Sequence, residues 1–117
     1  MSKITVILGH PNSKSFNSAI AETYRDTALK AGHDVKYFAL GDMEFDPILH
    51  EGYNKLQNLE PDLQTAIDAV LWADHLVFVF PTWWGTMPAI LKGFFDRAFL
   101  PGLTFKYHEN DPMWDKL

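Results

Sequence analysis

Three short apolar runs punctuate the chain, and helical periodicity fills the intervals between them. Lys3 to Leu8, "KITVIL", is a nearly continuous β-branched and apolar stretch, the mark of a strand covered on both faces. From Phe16 to Ala31 the apolar positions Phe16, Ile20, Tyr24, Ala28 and Ala31 recur at helical spacing, and Gly32 stands where a C′ residue belongs. In "DVKYFAL", Val35, Tyr37 and Ala39 alternate with Lys36, Phe38 and Leu40, which predicts a second strand. Strand, helix and strand within about forty residues make a βαβ unit, whose crossover is right-handed.

Gly41 to Pro61 has a different texture, polar and acidic with scattered Phe45, Ile48, Leu49 and Tyr53. It reads as a long surface excursion with one helical turn. Pro61-Asp62 starts the next helix, with Leu63, Ala66, Ile67, Val70 and Leu71 on one face. "HLVFVFPTWW" predicts a third strand, again apolar on both faces. Met87-Pro88 opens a third helix that runs through Ile90, Leu91, Phe94, Phe95 and Ala98 to about Leu100, where Pro101-Gly102 stops it. The tail shows strand-like alternation at Leu103, Phe105 and Tyr107 and then turn chemistry. The class is α/β: a single doubly wound domain over residues 1–117, its parallel sheet ordered 2-1-3 with helices on both faces. Ligands of such sheets bind beyond the carboxyl ends of the strands, where the strand order reverses. The loops after the first and third strands therefore meet at one rim.

Composition narrows what that rim could hold. The 117 residues suit one domain, and 47% hydrophobic content is enough for a core. Ten basic against fifteen acidic residues give a net charge of −5, and no Lys/Arg cluster offers a footprint for nucleic acid. Without cysteine there are no disulfides, thiolate metal sites or cysteine nucleophiles. The longest apolar run is too short to span a bilayer, and Met1 to Lys3 lead straight into the first strand, so neither a transmembrane segment nor a signal peptide is expected. The expected location is the cytoplasm. Aromatic residues make up 15% of the chain, with four tryptophans, which is more than a small core requires. Some of them are expected to face a ligand or a partner.

The junction "GHPNSKSFNSAI", residues 9 to 20, crowds polar groups where the first strand hands over to its helix. Helix N-termini leave backbone N–H groups unpaired and attract anions. Ser13, Ser15, Asn17 and Ser18 add donors there, and His10 adds another. The alternative is that Ser15 or Asn17 only caps the helix. A nucleotide P-loop is disfavoured, because the second glycine is missing and the spacing is one residue short, and no G-x-G-x-x-G is present. In "PTWWGTMPA", Trp83 and Trp84 sit at a strand end, where an aromatic wall and free backbone groups suit a planar heterocycle. The pattern alone slightly favours the alternative, in which one is a core residue and the other packs under the next helix. His33 and His75 lie at element junctions and read as structural. No histidines and carboxylates share metal-ligand spacing, so no metal site is expected.

"ILGHPNSKSFNSAI" together with "FVFPTWWGTMPAILKGFFDRAF" resembles the flavodoxin-like NAD(P)H:quinone oxidoreductases, the group of DT-diaphorase, the drug-modulator flavoproteins and the ancillary reductases of potassium-efflux systems. The resemblance spans essentially the whole chain. It implies that the loop after the first strand binds a flavin phosphate through His10, Ser15, Phe16 and Asn17. It implies that Pro81, Thr82, Trp83, Trp84 and Gly85 lie along the isoalloxazine ring, although Gly85 departs from the aromatic that some members carry there. FMN or FAD is the implied cofactor and NAD(P)H the implied electron donor. A quinone or similar small acceptor would take two electrons, with no side chain needed as nucleophile or base.

Two alternatives stand beside this reading. An electron-carrier flavodoxin would show a Ser/Thr-Gly-rich phosphate loop, which "HPNSKSFN" is not. A non-catalytic binding or regulatory module would keep the fold without the cofactor. Members of the resembled group also continue beyond the equivalent of Leu117, by further αβ units that complete the flavin and nicotinamide sites. The chain is therefore expected to be an amino-terminal part, with its third strand at a sheet edge covered by another copy, such as a dimer partner, or by another chain.

Overall fold

A computed structural model describes residues 1–107 and 114–116. The elements are β1 (Lys3–Leu8), α1 (Phe16–Lys30), β2 (Asp34–Ala39), a 3-10 turn (Leu40–Asp42), α2 (Pro61–Trp72), β3 (His75–Val79) and α3 (Ala89–Ala98). A short antiparallel pair, β4 (Phe105–Tyr107) and β5 (Trp114–Lys116), follows. The first three strands form one parallel sheet in the order β2-β1-β3, as the patterning predicts.

β1 is the centre of the molecule. Ile4, Val6, Ile7 and Leu8 are all buried, which is why its sequence is apolar without alternation. Ile4, Val6 and Leu8 face α1 with Ala21 and Ala28. Ile7 faces the other way, into a larger cluster of Leu40 from the 3-10 turn and Leu63, Ala66, Ile67, Val70, Leu91, Phe94 and Ala98 from α2 and α3. Thr5 is the polar exception on β1, and its buried hydroxyl donates to the Ala69 carbonyl at 2.8 Å.

α1 ends as its sequence requires. Gly32 takes φ +91°, its N–H donates to the Leu29 carbonyl, and the His33 N–H donates to the Ala28 carbonyl. These two bonds form a Schellman cap, and a side chain at position 32 would strain it. Of the apolar stripe read in the sequence, α1 buries only Ala28. Ser18, Ala21 and Ala28 point down, whereas Phe16, Ile20 and Tyr24 remain 80%, 44% and 39% exposed. Small residues let the helix lie close on the sheet, and that approach turns the larger stripe outward.

β3 is the sheet edge expected above, although its sequence is apolar on both faces. Leu76 to Val79 are half-buried, not covered on both faces, because β3 pairs only with β1 among the described strands. In the tail, strand pairing begins at Phe105 and Leu103 belongs to the preceding turn, so the alternation starts later than predicted. The turn chemistry expected at 108–113 lies outside the described residues. The excursion from Gly41 holds its one helical turn at Leu40–Asp42 and is otherwise irregular up to Pro61. No helix among the described residues is long and apolar enough to cross a membrane.

Candidate functional site

Leu8 on β1 pairs with Val79 on β3, and the pairing continues one step further, where the Gly9 N–H donates to the Val79 carbonyl at 2.8 Å. The loops that follow the two strands thus leave the sheet side by side. They touch through His10 and Trp83, whose rings stand edge to face with centroids 5.3 Å apart. The convergence read from strand order is present in the fold.

The loop after β1 organises itself with its own polar groups. His10 Nδ1 accepts from the Asn12 N–H at 2.9 Å, which leaves the proton of the neutral ring on Nε2. Asn12 Oδ1 accepts from the Lys14 N–H, and the Ser15 N–H donates to the Asn12 carbonyl. Ser15 is the N-cap of α1: its Oγ accepts from the Ser18 N–H at 3.2 Å. Ser18, expected to add a donor, is instead buried and turns its hydroxyl onto the Ser15 carbonyl. A buried hydroxyl needs a partner, and the cap supplies one.

Subtracting these internal bonds shows what is left over. The N–H groups of Phe16 and Asn17, in the first turn of α1, have no partner among the described residues, and neither do the side chains of Ser13 and Asn17. Phe16 carries its ring into solvent at the same spot. Unpaired backbone donors, the positive end of a helix and two free polar side chains are therefore gathered at one place, the chemistry that attracts anionic groups.

Two close approaches hold this loop in place. A Cβ on Gly9 would come within 2.7 Å of Leu91 on α3, and a Cβ on Gly41 within 2.2 Å of the Pro11 carbonyl oxygen. Neither glycine contact was legible beforehand, because each joins residues far apart in sequence.

After β3, Trp83 and Thr86 exchange both backbone hydrogen bonds, N–H to carbonyl at 2.8 and 3.1 Å. They close a two-residue turn at Trp84-Gly85, with φ of 52° and 74°. Trp83 is partly covered beside His10, while Trp84 is fully exposed at 103%. Neither tryptophan is a core residue. Pro81 is half-buried and Thr82 is exposed on the stretch leading to the turn. Nothing lies within 4 Å of where a Gly85 side chain would begin.

A second polar arrangement, missed in the sequence, lies behind α3. Arg97 is completely buried, and its two Nη groups reach the carbonyls of Asp46 and Asn58 and both carboxylate oxygens of Glu60. Burial raises the Glu60 pKa, but the bonds from Arg97 and from the Asp46 N–H outweigh it and hold the carboxyl below its ordinary value. Asp46 is held low by the Ile48 N–H and by His50 at 2.6 Å. Gly93 lets this loop approach α3, since a Cβ there would meet Pro47 at 2.3 Å. The signal was Arg97 itself, one polar residue at helical spacing among Leu91, Phe94 and Ala98. No group of three or more metal-ligating side chains is found among the described residues.

A family model described as flavodoxin-like fold matches residues 2–117. An uncharacterised NAD(P)H oxidoreductase of Haemophilus influenzae is 39% identical over 105 residues, which cover 86% of this chain and 52% of that protein. NAD(P)H dehydrogenase [quinone] 1 of Cavia porcellus is 34% identical, with 95% and 46% covered. Among solved structures, the NAD(P)H:quinone oxidoreductase of Methanothermobacter marburgensis superposes with a TM-score of 0.76 at 30% identity, over 91% of this chain and 57% of that one. An NADH:FMN oxidoreductase in its apo form gives a TM-score of 0.60 at 27% identity, with 83% and 50% covered. The chain spans about half the length of the curated relatives it matches.

Proposed function

This chain belongs to the flavodoxin-like NAD(P)H:quinone oxidoreductase family, and from that premise we propose that its β1/β3 rim holds a flavin and serves electron transfer from NAD(P)H to a quinone or similar small acceptor. One observation carries the reading. The free Phe16 and Asn17 N–H groups and the exposed Trp84 turn stand on adjacent loops joined by the His10–Trp83 contact. An anion site beside an aromatic surface has the chemistry of a phosphate joined to a planar ring, as in FMN or FAD.

In this assignment the start of α1 receives the phosphate through the two N–H groups, with the Ser13 and Asn17 side chains alongside. Ser15 acts one step back, because its cap holds the first turn in place for those donors. His10 presents its Nε2–H, and its Nδ1 bond to the Asn12 N–H fixes which nitrogen is the donor. Pro81, Thr82, Trp83, Trp84 and Gly85 form the side against which the ring system lies. A flavin bound there supplies two-electron chemistry, between a hydride donor and an acceptor, that no side chain of this chain provides.

The test is a spectrum. Protein purified with added FMN or FAD is expected to retain flavin absorbance and to bleach on anaerobic addition of NADPH or NADH. Menadione should then restore the colour. Retained flavin that neither nucleotide bleaches would point to a one-partner electron carrier, and no retained flavin would point to a non-catalytic module.

A further inference from the structure

The seven glycines fall into two groups. Gly32, Gly52, Gly85 and Gly102 take positive φ at turns, where the backbone itself favours glycine. Gly9, Gly41 and Gly93 do not, and each is crowded instead. A Cβ on them would lie 2.7 Å from Leu91, 2.2 Å from the Pro11 carbonyl oxygen and 2.3 Å from Pro47, respectively. These three contacts follow one another through the fold. Gly9 rests on Leu91 of α3, Gly93 of the same helix carries Pro47 of the excursion, and Gly41, where the excursion begins, seats Pro11 of the loop after β1. Loop, helix and excursion therefore close a ring. The loop that leads to the unpaired Phe16 and Asn17 N–H groups is one side of it.

Arg97 fastens that ring at its far end. It stands beyond Leu91 by about 9 Å along the axis of α3. Its Nη groups bond the Asp46 and Asn58 carbonyls and the Glu60 carboxylate. Asp46 precedes Pro47, so the first of these bonds holds Pro47 on Gly93. Between Gly41 and Pro47 the inner anchor of the excursion is Phe45, edge to face with Phe94 at 6.4 Å. A buried ion pair is weak evidence for stability, since an apolar side chain of similar volume often serves as well or better. Arg97 also leaves its own Nε without a partner among the described residues, a cost that leucine would not carry. What an apolar side chain cannot do is hold three separate polar groups of an irregular segment in one register.

We propose that Arg97 is a positioning residue for the loop after β1: by seating the excursion on α3 it closes the ring that fixes residues 9–17, and with them the direction of the free N–H groups at the start of α1. It touches neither the loop nor those donors. The consequence for binding rests on the phosphate reading of that loop, but the ring itself does not.

Hydrogen exchange and flavin titration of the full chain test the two parts. Gly93→Ala keeps Arg97 and favours the helix by propensity, while its Cβ displaces Pro47. Arg97→Lys and Glu60→Gln weaken the clip itself. In all three, ligand-free amide exchange over residues 9–17 is expected to rise relative to Thr27 to Lys30, at the other end of α1 and outside the ring. Riboflavin and FMN share one ring system and differ by the phosphate, so the ratio of their dissociation constants isolates the phosphate contribution. That ratio should fall about tenfold in each variant. Tyr53→Ser, on the exposed outer part of the excursion, should leave both readouts at wild-type values. Exchange that rises equally at both ends of α1, or at neither, overturns the ring. Faster loop exchange with an unchanged ratio overturns the positioning of the donors. If Gly93→Ala moves both readouts and neither clip variant does, the excursion holds the loop without Arg97 and the assignment falls. A wild-type chain that binds riboflavin as tightly as FMN, or binds neither, removes the phosphate reading and the binding role with it, while the exchange data still decide the ring.

Discussion

Ser15 and Asn17 stand two positions apart and have separable roles. Ser15 spends its hydroxyl on the cap, so Ser15→Ala should destabilise the ligand-free protein by about 0.5–2 kcal/mol, read as a lower melting temperature. Asn17 spends its side chain on nothing among the described residues. Asn17→Ala should therefore leave the melt nearly unchanged but weaken FMN binding by about 1.5–3 kcal/mol, roughly tenfold or more in a fluorescence titration. Equal FMN affinity in Asn17→Ala would remove it from the phosphate site. FMN should also quench tryptophan emission, and a Trp83→Phe/Trp84→Phe double variant should lose most of that quenching. Persistent quenching would assign it to Trp72 or Trp114. At this scale the sequence was informative where residue type alone states a need, as in four polar groups at one helix start or two tryptophans at one strand end. It could not say which serine would be consumed internally, because that depends on the loop's own turn geometry. Ser18 as the buried partner of the cap is visible only once the helix has a rotation.

The elements show where periodicity stops being a guide. The apolar stripe of α1 promised a buried face, yet the helix sits on Ser18, Ala21 and Ala28, since close contact with β1 selects small residues over apolar ones. In α3 the reverse happened: periodicity would have placed an apolar residue at 97, and the chain uses an arginine to gather the excursion. Arg97 joins Asp46, Asn58 and Glu60, so the segment between them is drawn against α3 by one side chain. Arg97→Ala should cost about 3 kcal/mol, the lower end for a broken buried pair, because Glu60 keeps 30% of its side chain exposed. Arg97→Lys should recover little, since a lysine cannot reach two carbonyls and a carboxylate with one fork. The clip also sets an acid limb. Folding holds the Glu60 pKa below its ordinary value of 4.5, so the folded state favours the carboxylate. Its contribution is complete above about pH 4.5 and is lost as pH falls through the lower folded value. Asp46 is shifted in the same direction and adds to that limb with the same sign. Glu60→Gln should be less stable than wild type at neutral pH and show a shallower loss between pH 5 and 3 in urea melts. An acid limb as steep as the wild type's would acquit the clip.

For the whole molecule, three strands and three helices were legible because each carries a period of its own, and the order β2-β1-β3 is the one expected of a doubly wound sheet with helices on both faces. The expected gap in coverage is also present. "LVFV" reads as a strand buried on both faces, yet Leu76, Val77, Phe78 and Val79 are half-buried, and β3 has β1 as its only described neighbour. Val77 and Val79 flank the α1 layer, and Phe78 stacks on Phe95 of α3 at 5.0 Å, so each side of the strand is covered by one element and open beyond it. Burying a large apolar side chain fully is worth about 1.5–3 kcal/mol, and four such residues half-covered forgo a sizeable part of that in a domain stable by about 5–15 kcal/mol. The exposed Phe16, Ile20 and Tyr24 stripe of α1 adds to the apolar surface on the same face of the sheet as Val77 and Val79. An edge that is apolar on both faces, with backbone groups unpaired along its length, is a template for another strand. The 117-residue chain is therefore expected to self-associate, and light scattering over a dilution series should find species larger than a monomer at low micromolar concentration. Val77→Lys places a charge on that edge strand and should shift the distribution toward monomer more than Lys30→Ala, a change at the exposed last turn of α1. A wild-type chain that stays monomeric and soluble throughout would show that half-covered aliphatic residues on β3 suffice, and the edge would then have no role in assembly.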